Sequence, residues 1–162
     1  MALGDMFLKL DSQRAGLVKG ESEDPSHPGE IQIDDWSWGM SGTPGLGAGS
    51  AGLKTALDEL HIHKRMDSAS TALMSVMRNN DLVKKAVLSV RKSGGVPIDY
   101  LVITLEKARI TRYEVRTAQG DGPRVMEHLA LTFEKIDVAY YEQDEKGQRK
   151  GATSFSAEVR TV

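Results

Sequence analysis

The 162-residue chain contains no cysteine. Disulfides, thiol nucleophiles and Cys-ligated zinc are excluded together, and the fold is indifferent to the redox state of its compartment. An excess of either charge is lacking too. The 21 basic and 23 acidic residues leave a net charge of −2, which argues against a protein whose main task is to neutralise a phosphate backbone. The recurring Lys107, Arg109, Arg112 and Arg116 read as a solvated strand face, with no nucleic-acid partner. No apolar run has the length needed to cross a bilayer. The opening segment from Met1 to Leu10 has neither the basic start nor the continuous apolar core of a secretory signal. The expectation is a chain that folds in the cytoplasm, does not insert into membranes, and leaves, if exported, by a route needing no signal peptide.

What is present is ordinary in bulk and specific in pattern. Hydrophobic residues make up 40% and charged residues 27%, as in a soluble globular protein, and the length suits one domain over residues 1–162. Met6, Leu8 and Leu10 alternate as a first strand. Ile31 to Gly39 places Ile31 and Ile33 on one face and Trp36 and Trp38 on the other. Leu60, Ile62 and Met66 oppose Glu59, His61, His63 and Arg65. Asp67 or Ser68 can cap a helix whose Ala69, Leu73, Val76 and Met77 recur at helical spacing until Asn79. Strands over Val83–Lys92 and Pro97–Lys107 flank a Ser-Gly-Gly hairpin signal. Ile110–Thr117 reads as a separate strand, and a last one lies near Thr153–Val159. Gly42 to Gly52 is rich in glycine and small residues and reads as a long loop without a packed core.

The segment from Met126 to Tyr141 is the most informative. Leu129, Leu131 and Phe133 share one face of an extended chain, and Ile136, Val138 and Tyr140 share the other. Straight, it would span roughly 50 Å, longer than a compact domain of this size. It must bend, and a bulge around Glu134–Lys135 would supply both the bend and the phase change. Tyr100 and Val102 oppose Leu101, Ile103 and Leu105 in the same two-faced way. The fold class expected is mainly β: a small β-barrel of two packed sheets with one short α-helix and an extended glycine-rich loop. Strands apolar on both faces call for cover, from a homo-oligomer or from the helix and long loop of the same subunit.

Chemistry is sparse. His61 and His63 share a strand face about 7 Å apart, a spacing metal sites use, with His27, His128 or a carboxylate as the third ligand. A polar strand face explains them more simply, so the expectation is no metal and no cofactor. Asp34-Asp35 and Asp58-Glu59 point to opposite faces within each pair and make no acid/base dyad. No nucleophile-elbow motif occurs. Gly45-x-Gly47-x-Gly49 lacks the strand-to-helix setting of a phosphate cradle. No active site is expected.

The order of several segments is nevertheless specific. Asp5-Met-Phe-Leu-Lys-Leu10, Lys19-Gly-Glu-Ser22, Trp36-Ser-Trp-Gly39, Arg91-Lys-Ser-Gly-Gly95, Tyr100-Leu-Val-Ile-Thr-Leu105 and the Glu127–Tyr141 strand follow one another as in the haemolysin-coregulated protein (Hcp) family of the bacterial type VI secretion system, which the chain resembles over nearly its whole length. Asp11–Val18 is longer than usual for that family, and the Gly42–Gly52 loop is of a type that varies. The resemblance implies a barrel subunit closing into a hexameric ring. Rings stack into the inner tube of a contractile apparatus, with effector proteins in the lumen and spike, sheath and baseplate components as partners. On this reading Trp36, Trp38, Tyr100 and Val102 are candidates for covered outer faces at the subunit interface, with ordinary core packing as the alternative. Gly42, Leu46 and Gly49 in the long loop, and Gln119 and Asp121 in the Gln119–Pro123 turn, are candidates for ring stacking or the lumen. The runner-up is a monomeric β-barrel holding a small ligand; a metal enzyme built on His61 and His63 is a third reading.

Overall fold

The structure, a computed structural model, describes residues 5–44, 53–92, 98–120, 124–143 and 149–159. Its first strand, β1 (Met6–Ser12), buries Phe7, Leu8, Leu10 and Ser12. One edge of β1 carries two short strands, β2 (Gly16–Leu17) and β3 (Ile31–Gln32). The chain between them folds back on itself through Gly20 N–H to Gly29 O at 2.8 Å and Ser22 N–H to Glu30 O at 3.0 Å. Gly20 sits so close to this return that a Cβ there would lie 2.4 Å from the Glu30 carbonyl oxygen. Only glycine fits, which gives the Lys19-Gly-Glu-Ser22 segment a physical reason.

Next come β4 (Asp35–Ser37), β5 (Met40–Pro44), β6 (Leu53–Leu57) and β7 (Leu60–Arg65), then α1 (Ser70–Arg78). The second half holds β8 (Val83–Arg91), β9 (Asp99–Ala118), β10 (Arg124–Thr132), β11 (Lys135–Gln143) and β12 (Arg149–Glu158). β5 and β6 pair only with each other, as an antiparallel ribbon from Met40↔Leu57 to Pro44↔Leu53. The helix matches its expected place. Asp67 Oδ1 accepts the Ala69 amide at 2.9 Å, and Leu73 and Val76 are buried.

β9 organises the molecule. The expected break between Lys107 and Ile110 is a bend inside one 20-residue strand, with Lys107 at φ 50°. Its first half lies between β8 and β11, and its second half pairs with β10. β10 and β11 follow the same edge of β9 in continuous register, Thr132↔Arg109 then Lys135↔Glu106. Between them the Glu134 N–H reaches both the Glu106 and Lys107 carbonyls at 3.2 Å. The single bent strand expected over Met126–Tyr141 is two strands separated at Phe133–Glu134, and the register shift against β9 falls between Ala130 and Leu131, where the bulge was expected around Glu134–Lys135. Leu129, Leu131, Phe133 and Ile136 all enter one core with Leu8, Leu88, Ile103 and Leu105.

Barrel closure is the expectation that fails. The main sheet is ten-stranded, in the order β2-β1-β8-β9-β10-β7-β4, with β3 on β1 and with β11 and β12 branching from β9. Among the described residues its ends do not pair, so no sheet closes. Alternation and bends specify a strongly curved sheet, but closure also needs first and last strands long enough to pair in register. Here those ends are β2 and β4, of two and three residues. The small-ligand reading thereby loses its container. Met66, expected on the buried face, is exposed because β7 stops at Arg65.

Candidate functional site

The four residues singled out for covered faces lie in two places. Trp36 is on β4, opposite Ile62 of β7, and both tryptophans are half-buried against the core. The buried Trp38 indole Nε1 has no hydrogen-bond partner, which costs about 1–3 kcal/mol. Tyr100 and Val102 lie on the first half of β9, also half-buried. Tyr100 meets Tyr140 edge-on at 6.4 Å, above a cleft of about 460 Å³ lined also by Lys92, Tyr141 and Glu142. Strand order sets the two pairs apart. Of the loop candidates, Gly42 is on the exposed β5 and Gln119 is exposed just beyond β9; Leu46, Gly49 and Asp121 lie outside the described residues.

Unsatisfied surface concentrates where strands end their cover. Among the described residues β12 pairs only with β11, and exposed Tyr140 (49%) and Phe155 (43%) lie on these two strands with exposed Val159 just beyond. Every residue of β5 is exposed. A two-stranded ribbon of this kind is marginally stable alone. The basic residues are locally engaged: Lys107 with Glu134 at 3.8 Å, Arg112 with Glu114 at 2.6 Å, and Arg109 Nη1 donating to the Asn80 carbonyl at 2.6 Å, just past the helix end.

Two buried charge clusters escaped the sequence reading. In the first, β7 and β10 place Lys64 directly opposite Glu127, with exposures of 0% and 1%. Lys64 Nζ donates to Glu127 Oε1 at 2.7 Å, to Asp67 Oδ1 at 2.8 Å and to the Arg65 carbonyl at 3.0 Å. The Ser70 and Tyr113 hydroxyls also donate to Glu127. Burial first, then the Glu127 hydrogen bond and charge, hold the Tyr113 phenol well above its usual range. This network fastens the start of α1 to the sheet. Lys64 is in phase with Leu60 and Ile62, and Glu127 with Leu129 and Leu131; an ionisable residue of each sign on a core face was the available signal.

The second cluster joins the chain's start to the β8–β9 hairpin. Arg91 Nη2 meets Asp24 at 2.5 Å, and its guanidinium lies over the Phe7 ring at 5.0 Å. The His27 ring stacks on Phe7 at 4.4 Å. His27 Nδ1 and Nε2 each face a carboxylate at 3.0 Å, Glu30 and Asp99 respectively. Only imidazolium donates from both nitrogens. Burial opposes that charge, but the hydrogen bonds to Asp99 and Glu30, with their charges, raise the His27 pKa above 6.5. A raised folded-state pKa gives stability that is complete below the ordinary value and is lost as pH rises through the folded one. The margin of wild type over His27→Gln in melting temperature is therefore expected to be largest near about pH 5.5 and to shrink toward about pH 8.5. A pH-independent margin would contradict this assignment.

On the opposite face of β7 and β10, register aligns Asp35, His63, His128 and Glu114 across four strands. His61 Nδ1 lies 2.9 Å from His128 Nε2, and the His63 and His128 rings stack at 4.3 Å. Burial, then the charges of His63, His61 and Arg112, push the His128 pKa down, with Glu114 opposing. Among the described residues no three donor side chains already converge as a metal centre.

Among the described residues, free strand edges, exposed apolar strand residues and an exposed ribbon are the prominent surface features. The profile of the family described as "Type VI secretion system effector, Hcp" matches residues 7–140. Protein hcp1 of Pseudomonas aeruginosa is 33% identical over 150 residues, covering 91% of this chain and 89% of that protein. Among solved structures, a type six secretion system protein superposes with a TM-score of 0.80 at 24% identity, covering 93% of this chain and 91% of the other. A type VI secretion system effector from Yersinia pestis gives 0.74 at 26% identity, covering 96% and 100%. The chain belongs to the Hcp family of type VI secretion tube proteins. It is a structural component and not an enzyme.

Proposed function

We propose that this chain closes into a hexameric ring and that the rings stack as the inner tube of a type VI apparatus, with effector proteins carried in the lumen. The observation that supports ring closure most directly is the unpaired edge of the ten-residue β12 beside exposed Tyr140 and Phe155. Long apolar edges attract a further chain unless covered. A second free edge is the three-residue β4 carrying Trp36, at one end of the strand order from which β11 and β12 branch. Two unlike edges suit a heterologous contact, the kind that closes rings. Trp36, Trp38, Tyr100 and Val102 contribute to that contact. The β5–β6 ribbon with Gly42, and Gln119 beyond β9, meet the adjacent ring or face the lumen, as do the sequence candidates Leu46, Gly49 and Asp121, which lie outside the described residues.

Spike, sheath and baseplate components are the partners that family membership supplies. The whole chain works as one domain, folded in the bacterial cytoplasm and exported by the apparatus without a signal peptide. No helix among the described residues is long and apolar enough to cross a membrane.

Light scattering after size exclusion, with negative-stain images of the same peak, tests the ring. The expected result is a mass near six subunits with annular particles; a clean monomer at high concentration would overturn it. Shortening the Gly42–Gly52 segment is expected to leave rings intact and to abolish tubes. Undiminished polymerisation would remove the ribbon from the stacking contact.

A further inference from the structure

We propose that His61 and His128, with His63 beside them, form a chelating site for a first-row divalent transition-metal ion, one per subunit. The three imidazoles sit on one face of two adjacent strands, all half-exposed. His61 Nδ1 and His128 Nε2 face each other at 2.9 Å. Two imidazole nitrogens each about 2.0–2.1 Å from a metal ion lie about 2.9 Å apart at a right angle and about 3.4 Å apart at a tetrahedral one. The nitrogen separation thus lies within about half an ångström of a chelating bite, and rotation of the two rings about their side-chain torsions must turn both lone pairs from each other toward one shared position.

The nitrogens now share one proton, since a neutral imidazole donates from one nitrogen and accepts at the other. Metal entry needs both facing nitrogens as lone pairs. The donor ring meets that by moving its proton to its other nitrogen, so neutral rings bind without net proton release.

The His63 ring lies almost parallel to His128, at 16°, so its nitrogens occupy the neighbouring plane. A side-chain rotation brings it in as third ligand, and water completes the set. Asp35 and Glu114 lie opposite His63 and His128 in register, but they are engaged by the Trp36 amide and by Arg112 respectively, so the three imidazoles alone make the donor set. An all-imidazole donor set selects zinc, nickel or copper(II) over magnesium or calcium. A polar strand face needs no such convergence: one hydrogen bond between half-exposed imidazoles contributes only about 1 kcal/mol.

The test is calorimetric titration of the purified, EDTA-stripped protein, in its native assembly state, with zinc chloride and then nickel chloride at pH 7.5. Expected is one ion per subunit at micromolar affinity, weakened at least about tenfold by His61→Ala or His128→Ala and less by His63→Ala. Size exclusion of each variant confirms that its assembly state matches the wild type. Copper(II) electron paramagnetic resonance supplies a second readout, because nitrogen hyperfine structure reports imidazole ligation directly. No binding at millimolar metal, or wild-type affinity in the His61→Ala/His128→Ala double variant, overturns the proposal. So does a copper spectrum of oxygen ligation only. The site lies within one chain, so its failure leaves the ring reading intact, and a monomer would not remove it.

Discussion

Lys64→Met is expected to destabilise the protein by about 3–5 kcal/mol, enough to remove a large part of the stability of a typical domain. Lys64 and Glu127 are both buried and meet at 2.7 Å. Removing the ammonium leaves a carboxylate in the core with only hydroxyl donors, from Ser70 and Tyr113. Adding Glu127→Gln removes that stranded charge, so the double variant should be more stable than the sum of the single effects implies. Denaturant unfolding of the four proteins in one cycle measures this. A Lys64→Met loss under about 1 kcal/mol, or strict additivity, would mean that the pair behaves as though solvated.

The second large effect is expected at Arg91. Arg91→Met strips Asp24 of the contact that keeps its buried carboxylate charged, and takes the cation from above Phe7. A loss of about 3 kcal/mol or more at neutral pH follows from leaving one partner of a buried pair alone. The Arg91 hydrogen bond is the main reason the Asp24 pKa lies below 3.8, with burial opposing it. A depressed carboxylate pKa contributes stability above the unfolded value and loses it as pH falls through the folded one. The gap between wild type and variant should therefore narrow below about pH 4. Melting curves from neutral to acid pH decide it; a gap that widens in acid would place the effect in packing instead.

Neither cluster could be read from the sequence alone, although the strands that carry them could. Leu129, Leu131 and Phe133 followed by Ile136 encode two strands that meet at a change of phase, because a period of two with one slip marks a break or a bend. The antiparallel β8–β9 pair, whose Ser93-Gly-Gly95 link lies outside the described residues, and the Ala69-Leu73-Val76 helix were legible for similar local reasons. The Lys64–Glu127 contact depends on which residue of β10 faces which residue of β7, a register that neither strand specifies by itself. Arg91 and Asp24 lie 67 positions apart. The β5–β6 ribbon was hidden by glycine and small residues, which carry no alternation to count. Barrel closure failed for a related reason, since a curved sheet and a closed one share the same local pattern. The three histidines were partly visible as His61-x-His63; the 2.9 Å approach of His128 needed the neighbouring strand.

Because β9 runs unbroken through the bend at Lys107, pairing with β8 and β11 in its first half and β10 in its second, the two regions of the sheet share one covalent member. A load applied along β9 at either end must shear its flanking ladders together, for there is no loop at the bend to extend first. Resistance to such a load comes from many hydrogen bonds acting in parallel, where an ordinary linker would let one region swing against the other. A subunit pushed from behind by its neighbours in a tube would transmit thrust through this strand as a stiff, pre-bent rib.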